Sequence, residues 1–93
     1  MRSPTAELVY RNLGYKTRSA GTEYGARKPV SNELIEWADL VFVMEARQKV
    51  IIASMFCDVA HKKDVVVLGI PDKYLYMESE LVDILIEKVT PYL

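Results

Sequence analysis

Arg2-Ser3-Pro4-Thr5 opens the sequence with residue types suited to holding an oxyanion. Apolar residues Ala6, Val9, Tyr10 and Leu13 follow at helical spacing, so the arginine stands immediately before a helix N-terminus. There the first-turn N–H groups and the positive end of the helix dipole face an anion, and a guanidinium binds two of its oxygens at once. An ordinary capped helix beside a solvated arginine accounts for the same four residues, so the segment alone leaves both readings open. The single cysteine, Cys57, lies in an apolar stretch with no glycine-rich loop or cationic partner nearby and reads as a buried core thiol. His61 follows close to a helix C-terminal end, where a cation is favoured, and reads as a surface or capping residue. With one cysteine and one histidine, neither an intramolecular disulfide nor a structural zinc site is available. Trp37, Phe42 and Phe56 read as core; Tyr10, Tyr15 and Tyr24 read as partly buried aromatics, with phosphorylation as the alternative.

The elements that would position these groups follow from apolar spacing. Ser3-Pro4 in front and Gly14 behind give the first helix a cap, a first-turn proline and a stop. Lys16 to Ala20 reads as a short polar strand closed by Gly21, and Glu23 to Pro29 as a loop. Ser31 is the expected N-cap of a helix from Asn32 to Ala38 that turns Leu34, Ile35 and Ala38 inward. Leu40 to Met44 is an unbroken apolar run of strand length, as expected where both sheet faces are covered. A third helix over Ala46 to Val59 should bury Val50, Ile51, Ser54, Met55 and Cys57. Val65 to Leu68 reads as a second apolar strand ended by Gly69. A loop from Ile70 to Met77 leads to a last helix, Glu78 to Val89, burying Leu81, Ile84, Leu85 and Val89.

Strands alternating with helices predict an α/β fold, a parallel sheet covered on both faces. At 93 residues the chain is expected to be a single domain over 1–93. Twelve Lys and Arg against thirteen Asp and Glu give a net charge of −1, with no like-charge run longer than Lys62-Lys63. That balance argues against nucleic acid or a membrane surface as a partner. No basic leader precedes an apolar stretch, no apolar run reaches membrane-span length, and the lone cysteine suits a reducing, cytoplasmic setting.

Four segments in order resemble the low-molecular-weight protein tyrosine phosphatases. Arg2-Ser3-Pro4-Thr5-Ala6-Glu7 is similar to the second half of that family's C-x5-R-S-P phosphate loop, and Ser19-Ala20-Gly21-Thr22 to its second-strand S-A-G-T. Ala38-Asp39-Leu40-Val41-Phe42-Val43-Met44 resembles its A-D-L-I-x-V-M strand, and Ile70-Pro71-Asp72-Lys73-Tyr74 stands where the family carries its aspartate loop, usually D-P-Y. The short bacterial branch, whose aspartate loop departs from D-P, is the nearest. The resemblance implies a three-layer α/β/α fold of phosphotyrosine phosphatase I type and hydrolysis of a phosphomonoester through a phosphocysteine, with no cofactor or metal. It assigns Arg2 to the equatorial oxygens and Ser3 to a hydrogen bond with the thiolate. Asp72 becomes the general acid and then the base that activates water, with Tyr74 and Tyr76 stacking on an aromatic substrate.

The departures are equally specific. The family's cysteine lies six positions before the arginine, upstream of Met1, and its first, central strand lies upstream with it. The chain therefore reads as truncated within the phosphate-binding loop, by a mis-assigned start or as a shortened pseudophosphatase, and as inactive by itself. Lys73 replaces the usual proline, which leaves Glu78 as a second candidate acid and an ordinary turn residue as the alternative reading of Asp72. The expected ligand is a phosphorylated substrate or an inorganic phosphate or sulfate anion. An arsenate reductase-like role is weakened by the lack of resolving thiols. Without the central strand, either the Lys16 to Ala20 strand closes the gap or unpaired sheet edges make a homo-oligomer.

Overall fold

The computed structural model describes residues 2–22 and 26–93; Met1, and the part of the expected loop that contains Tyr24, lie outside the described residues. The chain is mixed helix and strand, with helices α1 (Arg2–Asn12), α2 (Asn32–Trp37), α3 (Ala46–Met55), α4 (Cys57–Ala60) and α5 (Ser79–Val89). Strands β1 (Leu40–Val43) and β2 (Asp64–Val67) join them, and a short 3-10 turn covers Thr90–Tyr92. Contacts group these elements into two compact units, one of Met1–Ser19 and Ile70–Leu93, the other of Ala20–Gly69.

In the second unit, Ser31 Oγ accepts a hydrogen bond from the Leu34 N–H at 3.2 Å, which satisfies one of the N–H groups that a helix start leaves open. At the other end of α2 the Lys63 ammonium donates to the Glu36 carbonyl at 3.1 Å, a cation where the dipole favours one. β1 and β2 pair in parallel with Leu40 opposite Asp64 and Val43 opposite Val67, and the Leu68 N–H extends the ladder to the Val43 carbonyl at 2.8 Å. Parallel strands need a crossover, which α3 and α4 supply. The core here is Ile35, Val43, Ile52 and Ala60, with Val30, Val41, Phe56, Val59 and Val65 packed against it.

Several expectations fail in this unit. The helix expected over Ala46 to Val59 is broken at Phe56, whose backbone (φ −130°, ψ 39°) leaves the α region. Its inward face is also displaced. Val50 and Met55 are 64% and 67% exposed, Ser54 is exposed and Ile51 half-buried, while Ile52 is buried in their place. Val50, Ile51, Ile52 and Ala53 form a continuous apolar run, so spacing alone cannot select the buried stripe. Cys57, expected to be a core thiol, is exposed at the start of α4, because the break at Phe56 restarts the helix there. Trp37, the last residue of α2, is also exposed rather than core. Leu34 and Ala38 are half-buried, which leaves Ile35 as the buried residue of α2. His61 is exposed as the C-cap of α4, as expected.

The strand expected over Lys16 to Ala20 does not form, so it closes no gap in a sheet. Nearby, Gly21 and Pro29 make an isolated parallel bridge; a Cβ on Gly21 would come within 2.7 Å of the Ala26 Cβ. In the first unit, the side chains of Thr17 and Ser19 turn to α1 instead of a strand partner. Thr17 Oγ1 donates to the Glu7 carbonyl at 2.7 Å and Ser19 Oγ to the Glu7 carboxylate at 2.9 Å. That carboxylate also takes Arg11 at 2.9 Å, one turn along the same helix.

α1 begins earlier than a Ser3 cap allows: Arg2 is already helical, with Ser3 and Pro4 inside the first turn. Proline is tolerated there because first-turn N–H groups have no partner within the helix. Gly14 (φ +97°) ends α1 as expected. α5 packs on α1 through the stripe read from the sequence, with Leu81, Leu85 and Val89 buried and Ile84 half-buried. No helix among the described residues is long and apolar enough to cross a membrane.

Candidate functional site

The first unit joins the first turn of α1 to the segment that precedes α5. Arg2 and Thr5 lie three positions apart, on one face of the helix, and both are buried. The Arg2 guanidinium donates through Nη1 to the Ile70 carbonyl at 2.8 Å, and its Nε lies 3.7 Å from Asp72 Oδ1. One turn on, Thr5 Oγ1 accepts the Met77 N–H at 3.0 Å. The segment 70–77 is thus tied to α1 near both of its ends. Ile70, 1% exposed, anchors one end. Met77 takes a left-handed backbone (φ 59°) at the other, uncommon for a residue with a long side chain.

The structure therefore brings Arg2 and Asp72 together, a cation beside a carboxylate, although they lie at opposite ends of the sequence. Their surroundings differ. The Arg2 side chain is 9% exposed and that of Asp72 63%. Ser3 is half-buried in the first turn of α1. Tyr74 is 8% exposed, with the Lys73 ammonium 5.3 Å from its ring centroid, so little of its ring face is open. Tyr76 is exposed beside an exposed Leu75, and Glu78 is half-buried at the start of α5, its carboxylate 3.5 Å from the Leu75 N–H.

No cysteine belongs to this unit. Cys57 is in the other, and its Sγ points to the Asp58 carboxylate at 3.9 Å, a neighbour of the wrong charge for holding a thiolate. Among the described residues no group of three His, Cys, Asp or Glu side chains is arranged to hold a metal ion. The Ile70 carbonyl and Thr5 were not singled out in the sequence. Thr5 had a usable signal, a polar residue three positions after Arg2 on an otherwise apolar helix face; a backbone carbonyl as partner has none. No family model, curated protein or solved structure matches this chain.

Proposed function

We propose that the chain is a low-molecular-weight tyrosine-phosphatase-like domain, cytoplasmic and of three-layer α/β/α type, that binds a phosphate-like anion at Arg2 and does not cleave it unaided. The observation that carries this reading is the approach of Arg2 Nε to Asp72 Oδ1, 3.7 Å, at the N-terminal turn of a helix. An arginine to hold phosphoryl oxygens and a carboxylate to move a proton are the two polar parts of phosphomonoester hydrolysis other than its nucleophile. Tyr76, four positions after Asp72, is exposed, which supports stacking on an aromatic group.

Hydrolysis in this scheme belongs to a form that carries a cysteine six positions before Arg2. Its thiolate would form the S–P bond as the P–O bond to the phenol breaks, with Asp72 giving the leaving oxygen its proton. Asp72 would then take a proton from the water that releases phosphate and restores the thiolate.

The test has two arms. Phosphate, sulfate and vanadate should each raise the unfolding temperature of the chain, because a ligand bound only by the folded state stabilises it, and Arg2→Lys should diminish the shift. The chain should leave para-nitrophenyl phosphate intact. A variant extended with a strand and a C-x5 segment before Arg2 should hydrolyse it, with loss on Arg2→Ala and strong slowing on Asp72→Asn. Anion protection that ignores Arg2, or no protection at all, would reduce Arg2 to a structural tie between α1 and the Ile70 carbonyl.

A further inference from the structure

Arg2 and Thr5, neighbours on one face of α1, hold opposite ends of a single segment. Arg2 Nη1 donates to the Ile70 carbonyl at 2.8 Å, and Thr5 Oγ1 accepts the Met77 N–H at 3.0 Å. Arg2 and Ile70 are buried and Thr5 is fully so, which packs these anchors in place. Between them, residues 70–77 belong to no helix or strand whose own ladder would fix the backbone. The end at Met77 is strained: φ is +59°, in the left-handed region that is costly for a residue with a Cβ, and such a conformation persists where its surroundings hold it. The Thr5 hydroxyl holds it from α1, and the Glu78 N–H, bonded to the Leu75 carbonyl at 3.1 Å, closes the turn around it. The guanidinium at the other end is a rigid plane of N–H donors, so a bond from one nitrogen to a fixed carbonyl sets the direction of the whole plane.

We infer that Thr5 is a positioning residue for the anion at Arg2: through the Met77 N–H it holds the segment 70–77, and through the Ile70 carbonyl that segment orients the guanidinium. This rests on the reading of Arg2 as the anion site and names a residue that serves the site without touching the anion. Linkage makes the effect reciprocal. If the Thr5–Met77 bond favours the anion by some factor, the anion stabilises that bond by the same factor. The factor is that of one hydrogen bond, roughly three- to tenfold in Kd.

Calorimetric titration of the chain, Thr5→Val, Thr5→Ser and Arg2→Lys with inorganic phosphate and with vanadate, together with hydrogen exchange of the Met77 N–H in the parent chain, tests this. Thr5→Val should bind roughly three- to tenfold more weakly, and Thr5→Ser, which keeps the hydroxyl, should bind as the parent does. Saturating phosphate should slow exchange at Met77 in the parent by the same factor that Thr5→Val loses. A substitution that merely loosens α1 does not produce this slowing, so Met77 exchange indifferent to phosphate overturns the positioning role whatever the variants do. Thr5→Val binding as tightly as the parent, or Thr5→Ser binding as weakly as Thr5→Val, overturns it as well, and with Arg2→Lys still weakened the anion site stands. Binding indifferent to Arg2→Lys, or undetectable in the parent chain, overturns the anion site and the positioning role together.

Discussion

Tyr10 of α1 donates its hydroxyl to the Leu85 carbonyl of α5 at 3.2 Å, and the same oxygen lies 3.2 Å from Thr90 Oγ1. Tyr10 is only 4% exposed, so its polar tip must find a partner, and it finds one on the last turns of the facing helix. Tyr10→Phe keeps the packing and removes the tip. It should cost about 1 kcal/mol, the net value of a partly buried hydrogen bond. Tyr10→Ala should cost about 3 to 5 kcal/mol through lost burial and a cavity. Urea denaturation of the two variants separates these terms; a Phe variant as stable as the parent would mean the hydroxyl contributes nothing.

Thr5 is fully buried, and its hydroxyl is the acceptor for the Met77 N–H at the left-handed turn before α5. Thr5→Val replaces the oxygen with a methyl group of similar size. The expected loss is about 1 to 2 kcal/mol, since a partly buried N–H is left unpaired. Hydrogen exchange at Met77 should accelerate while that in the centre of α3 stays unchanged. Faster exchange everywhere would show a global rather than a local effect.

The inward face of α3 is the clearest assignment that the structure makes against the sequence. Ile52 is 3% exposed in a cluster with Ile35, Val43 and Ala60, whereas Val50 and Met55 face water. Ile52→Ala should therefore cost about 2 to 5 kcal/mol. Val50→Ala and Met55→Lys should stay within about 0.5 kcal/mol of the parent, as surface changes do. Thermal unfolding decides it: a large loss on Met55→Lys would restore the face expected from the sequence.

What was legible depended on how sharply local chemistry selected one answer. The α5 stripe Leu81, Leu85, Val89 alternates with Asp83, Glu87 and Lys88, so only one face could turn inward, and it did. Ser31 before Asn32 and the apolar runs at Leu40 and Val65 were equally unambiguous, and the caps and ladders formed within a residue of expectation. Lys16 to Ala20 had strand-like length but no apolar face. No strand among the described residues pairs with it, and Thr17 and Ser19 bond Glu7, a partner that local sequence does not reveal. Arg2 and Asp72 were legible as residue types suited to phosphate chemistry. Their closeness was not, because it arises from a side chain reaching a backbone carbonyl 68 positions away. The exposure of Cys57 was hidden for another reason: it follows from the backbone break at Phe56, and no proline or glycine marks that break.

Gly14, in a left-handed conformation, closes α1 with two hydrogen bonds. Its own N–H reaches the Arg11 carbonyl at 3.0 Å and the N–H of Tyr15 reaches back to the Tyr10 carbonyl at 2.9 Å, which together satisfy two orphan carbonyls of the last turn. The reversal also sets the Tyr15 ring edge-on to that of Tyr10, with centroids 6.0 Å apart and planes at 64°. A Cβ on Gly14 would meet no atom within 4 Å, so any penalty of a side chain there comes from the backbone at φ +97° and not from crowding. Gly14→Ala should accordingly destabilise by about 1 kcal/mol, the left-handed strain of an L-residue less what alanine gains by restricting the unfolded chain. A D-alanine at the same position, introduced by chemical synthesis, favours positive φ and should restore or exceed the parent's stability. If both enantiomers destabilise equally in thermal unfolding, the cost lies in contacts rather than in backbone handedness, and the account of this helix end is wrong.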